Sequence, residues 1–139
     1  MSTPRLLIAL STTLCASLAL AAPAAPLTLD HSSAMLMDKA TAMALWKPAL
    51  SPKVVKLYPV NRWGFVSEVE CGFDDTKVCI VTARAMMLPR SGKFVVFQPA
   101  KTSTAFGMQA SASQEQCRVL AKAKLTEAIA ALRAALVPR

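Results

Sequence analysis

From Trp63 onward the chain alternates. Trp63, Phe65, Ser67, Val69, Cys71 and Phe73 take the odd positions, and Glu68 and Glu70 are among the even ones. A period of two places the apolar set on one face of a β-strand. A second strand is predicted from Lys77 to about Ala85, and Asp74-Asp75-Thr76 between them carries turn chemistry. A hairpin centred on Asp75 sets Cys71 opposite Cys79, Val69 opposite Val81 and Ser67 opposite Ala83. Facing Cβ atoms in an antiparallel pair lie about 4.5–5.5 Å apart, so a Cys71–Cys79 disulfide is expected to close across the hairpin and pin its register.

Upstream, a helix is predicted to start at Asp30, Ser32 or Ser33, each able to cap, and to run over residues 31–46. Leu36, Ala40 and Met43 form its inward stripe, Met35 and Trp46 lie on one flank, and Pro48 stops it. A short strand is expected over Lys53 to Tyr58, with Val55 and Leu57 sharing a face, before a turn marked by Pro59, Asn61 and Gly64. Downstream, Pro89-Arg90-Ser91-Gly92 reads as a turn, and Lys93 to Phe97 as a strand covered on both faces. Lys101 to Ala112 reads as a loop of small and polar residues. Ser113 and Gln116 make a capping box, and Leu125, Ile129, Leu132 and Leu136 stripe the helix that follows to Val137. The expected fold is α+β: an N-terminal helix, a four-strand antiparallel meander and a C-terminal helix packed on the sheet, with both helices on one face.

The start of the chain reads differently. Arg5 precedes an apolar run from Leu6 to Leu20, and Ala19-Leu20-Ala21 ends it, the three parts of a secretory signal peptide. Cleavage is expected after Ala21, with Ala22-Pro23-Ala24 as a second site of the same form. The run is shorter than the roughly 20 residues that cross a bilayer as a helix. The expected organisation is a signal peptide over 1–21, a flexible mature N-terminus over 22–30 and a single domain over 31–139, exported to a bacterial periplasm.

Charge narrows the partners. Over 139 residues, 16 Lys and Arg face 8 Asp and Glu, a net charge of +8, of which Arg5 leaves with the signal peptide. Such a chain attracts acidic surfaces. Export and the lack of aromatic–basic interleaving argue against nucleic acid, leaving an acidic protein, a cell-wall polymer or an anionic lipid surface. Lys47, Lys53 and Lys56 form one basic cluster, and Arg84, Arg90 and Lys93 form a second, the candidate partner-binding set.

Candidate chemistry is sparse. With Cys15 removed, Cys71, Cys79 and Cys117 remain, an odd number in an oxidising compartment. Cys117 falls in the first turn of the last helix beside Arg118, where the helix dipole favours a thiolate, so it is the candidate reactive or cross-linking thiol. His31, Met35 and Met37 offer soft donors that suit Cu(I). A zinc site from His31 and the three cysteines has the right ligand types but no closely spaced pair. His31 is the single histidine, Asp74 and Asp75 belong to a turn, and Glu68 and Glu70 to an outer strand face, so no nucleophile–base or acid–base pair converges. The pattern points to a non-enzymatic exported binding or accessory protein without a cofactor. A periplasmic copper-binding protein using His31, Met35 and Met37, and a thiol-dependent redox or cross-linking protein using Cys117, are the alternatives.

Overall fold

The computed structural model describes residues 25–73 and 76–137. The expected signal peptide lies outside the described residues. Strand β1 (Leu27–Asp30) is followed by two short helices, α1 (Lys39–Trp46) and α2 (Pro52–Leu57), then by the long strands β2 (Trp63–Phe73) and β3 (Cys79–Ser91). The brief strand β4 (Phe94–Val95), strand β5 (Lys101–Gln109) and helix α3 (Gln114–Leu136) complete the chain.

The sheet is mixed, not an antiparallel meander of four strands. β1 pairs parallel to β2 at one edge, Leu27 beside Gly64 and Asp30 beside Ser67. β3 is central, antiparallel to β2 on one side and to β5 on the other, and β4 folds back on its far end. α3 packs on β3 and β5, and α1 packs against α3 and β1. One continuous core fills the space under the helices: Trp46 from α1, Val54 from α2, Phe65 and Val69 from β2, Val81 and Met87 from β3, Leu125, Ile129, Leu132 and Leu136 from α3. The opposite face of the sheet carries a small second cluster, Val66, Met86 and Leu88, covered by Leu29 and Val95.

Several elements differ from expectation, each for a local reason. Residues 31–38 are not helical, because the His31 and Ser33 amides donate to Ser67 O and Val69 O at 2.9 and 3.0 Å, continuing the edge of β2. The helix begins only after Asp38, whose carboxylate accepts from the Thr41 amide at 2.9 Å and the Thr41 hydroxyl at 2.6 Å. Those bonds hold the Asp38 carboxyl below its ordinary pKa. Residues 27–30, expected to be flexible, pair as β1. Residues 52–57 form a helix instead of a strand: Pro52 is pre-set for a first helical turn, and the Tyr58 amide bonds back to Val54 O at 2.8 Å. Val54, not Val55 or Leu57, is the buried residue.

β5 occupies the stretch expected to be a loop. Its inward residues are small, Ser103, Ala105 and Gly107, and its large apolar residues, Phe106 and Met108, point outward. That inversion is what lets α3 lie close. A Cβ on Gly107 would fall 2.8 Å from Lys124 Cε and 3.1 Å from Leu120 Cδ1. Lys124 can swing aside, whereas Leu120 is packed against the core. Gly107→Val is therefore expected to destabilise the fold by about 1–3 kcal/mol, read as a lowered urea midpoint at unchanged slope.

Helix α3 follows its pattern closely. The Ser113 amide donates to Gln116 Oε1 at 2.7 Å and the Gln116 amide to Ser113 Oγ at 3.2 Å, closing the capping box. Among the described residues no helix is long and apolar enough to cross a membrane.

Candidate functional site

Two features stand out, on opposite faces of the sheet. Under the helices, three cysteines meet. Alternation along β2 turns Cys71 toward α3, the same parity turns Cys79 inward at the start of β3, and Cys117 points down from the first turn of α3. Cys79 and Cys117 form a disulfide, with Cα atoms 5.8 Å apart and a separation of 38 positions in sequence. Cys71 is free and half-buried. Its Sγ lies 3.2 Å from Cys117 Sγ and 3.8 Å from Cys79 Sγ. Burial pushes the Cys71 thiol above its ordinary pKa, opposed by a hydrogen bond from the Ile80 backbone.

The bond is thus not the hairpin bridge expected between Cys71 and Cys79. Phe73 pairs with Cys79 and Cys71 with Val81, a register two residues away from the one centred on Asp75. Because the shift is even, the apolar face stays inward, but the two cysteines become diagonal neighbours. Cys117, expected as the reactive thiol, is fully buried and bonded. Among the described residues the free thiol belongs to Cys71 instead. A shallow cavity of about 170 Å³, lined by Ser33, Met35, Leu36, Cys71 and Gln114, reaches it from the surface.

On the outer face, residues 92–97 form a strap across the sheet. Val95 packs on Val66 and Leu88. It lies directly over Gly64, where a Cβ would come within 2.5 Å of Val95 Cγ1. Phe94, Val96 and Phe97 point away, with 79, 50 and 62% of their surface exposed. The Phe97 ring stacks on His31, ring centres 6.3 Å apart and 8° from parallel. The expected cover on both faces is therefore missing. The strand ends after two residues, so of its apolar side chains Val95 alone packs on the sheet, and Phe97 meets only the His31 ring.

The residues of the candidate basic set have separate surroundings. Arg84 sits on the outer face opposite Glu68, Nη1 2.9 Å from Glu68 Oε2 and 3.9 Å from Glu70 Oε2. Arg90 donates to the Gly92 and Val60 carbonyls, bracing the base of the strap. Lys93 is exposed at the strap's tip. The soft-donor set is likewise dispersed: His31 stacks on Phe97 outside, Met37 is buried in the main core, and Met35 lines the cavity above Cys71. With no helix over 31–38, His31 and Met35 lose the shared helical face that would have joined them.

The signal for the strap lay in Lys93-Phe94-Val95-Val96-Phe97, held between Pro89 and Pro99 in a segment too short to bury all its apolar side chains. No protein-family model and no curated protein matches the chain. A solved structure, the dodecamer of a PelC point variant from Paraburkholderia phytofirmans, aligns over 81% of this chain and 90% of that one, at 13% identity and a TM-score of 0.41. At that divergence the likeness says nothing of what this chain binds or how it assembles.

Proposed function

We propose that this is an exported, non-enzymatic binding protein that engages an anionic lipid surface through the strap of residues 92–97. The observation that carries this reading is the exposure of Phe94, Val96 and Phe97 on one short segment whose tip is Lys93. Aromatic rings that a fold leaves in water stand ready for a membrane interface, and a neighbouring cation adds attraction to anionic headgroups. The basic balance, +8 over the full sequence and one less once Arg5 leaves with the signal peptide, supports the same partner. Arg84 serves the Glu68 pair and Arg90 the base of the strap, so the aromatic residues and Lys93 carry the contact.

Sedimentation with vesicles tests this. The purified chain is expected to pellet with phosphatidylglycerol vesicles and to stay in solution with phosphatidylcholine vesicles. Phe94→Ser/Phe97→Ser is expected to weaken partitioning at least about tenfold, since burying a single large apolar side chain is worth about 1.5–3 kcal/mol. Equal binding by that variant, or equal binding to neutral vesicles, would overturn the reading.

A further inference from the structure

We infer that the three cysteines constitute a binding site for one soft d10 cation, of which Cu(I) is the type, that opens when the Cys79–Cys117 bond is reduced. The three Sγ atoms lie within 4.8 Å of one another. Thiolates around one such ion at metal–sulfur distances of about 2.3 Å stand roughly 4 Å apart. Cys71 already stands at 3.2 and 3.8 Å from the other two sulfurs. The Cys79–Cys117 edge must open from a covalent bond and the 3.2 Å Cys71–Cys117 edge must lengthen by a smaller amount, and rotation of the Cys117 side chain, on a Cα 5.8 Å from that of Cys79, supplies both without moving the backbone.

The surroundings suit the ion as well as the spacing does. Cys79 and Cys117 are fully buried, which keeps competing water away. Cys117 lies in the first turn of the 23-residue α3, whose dipole stabilises the negative charge of thiolates. Met35 lines the cavity that leads from the surface to Cys71, placing a soft thioether at the entrance. This pocket is on the helix side of the sheet and independent of the lipid-binding strap.

The chemistry balances with one co-reactant, a dithiol. Its two S–H groups supply two electrons and two protons, it leaves as a cyclic disulfide, and the Cys79–Cys117 bond becomes two thiols. Cu(I) then binds with displacement of thiol protons to solvent, its oxidation state unchanged. In the disulfide form two of the three donors are occupied by each other, so the site is closed.

The test uses the whole purified chain under anaerobic conditions, reduced with a small dithiol, desalted, and titrated with Cu(I) held by a coloured chelator. Reduced wild type is expected to take one equivalent from the chelator. The unreduced chain and reduced Cys71→Ser, which keeps the native disulfide partners for folding, are expected to bind at least about 100-fold more weakly. Circular dichroism accompanies each step. If reduction alone unfolds the chain, one equivalent of Cu(I) is expected to restore the helical signal. Failure of reduced wild type to take copper, equal uptake by the unreduced chain or by Cys71→Ser, or an unfolded reduced chain that copper does not refold would each overturn the site.

Discussion

The double variant Cys71→Ala/Cys79→Ala is expected to lose about 4 kcal/mol of stability, while Cys79→Ala alone stays within about 1 kcal/mol of the native chain. The first figure follows from the 38-residue separation of Cys79 and Cys117, whose closure the chain-entropy estimate values at about 4 kcal/mol. The second follows from the third thiol. With Cys79 gone, Cys71 Sγ stands 3.2 Å from Cys117 Sγ and 46 residues away in sequence, so the replacement bond closes a loop of similar length. Cys117→Ala leaves Cys71 and Cys79, only 8 residues apart, and their short loop restores about 2.5 kcal/mol of the loss. Cys71→Ala leaves the native bond in place and is expected to be near neutral. Urea unfolding under non-reducing conditions, with peptide mapping of each variant's disulfide, reads this order. Equal losses for Cys79→Ala and the double variant would show that Cys71 does not re-pair.

How far the sequence carries to this site depends on which signals are local. The alternation of β2 and the inward face of β3 were legible because one buried face imposes a period of two. Even a register misplaced by two residues leaves Val69, Cys71, Val81 and Cys79 facing α3. The α3 stripe and its cap were legible for the same reason: Ser113 to Leu136 satisfies its own periodicity. β5 was not, since Ala105 and Gly107 are inward only because a helix closes over them, a fact held by Leu120 and Lys124 far along the chain. The Pro52–Leu57 helix hinged on a single buried position, Val54, which a six-residue window reads equally well as a strand. At the site, nearness in sequence favoured Cys71 with Cys79, whereas the bond is set by how α3 returns to the sheet. The strap's exposure required knowing that β4 would stop after Val95.

Phe65→Ala is expected to cost about 3–5 kcal/mol, and Trp46→Ala a similar amount. Both side chains are almost wholly buried, with ring centres 5.6 Å apart and planes tilted by 50°. The double variant is expected to lose about 0.5–1.5 kcal/mol less than the two single losses added together, because their mutual contact is counted twice. Trp46→Phe should lose less than Trp46→Ala: it keeps a ring against Phe65 and drops an indole N–H that has no partner among the described residues. The two alanine variants should differ in where the fold loosens. α1 has eight residues, too few to persist alone, and Trp46 and Ala42 are the buried residues that hold it to the core. Phe65 lies in the middle of the sheet, between β1 and β3. Hydrogen exchange is therefore expected to show the α1 amides losing protection selectively in Trp46→Ala, with β2 and β3 still protected, whereas Phe65→Ala lowers protection across the sheet and helices together. Uniform loss in both variants would mean that α1 unfolds only with the whole domain.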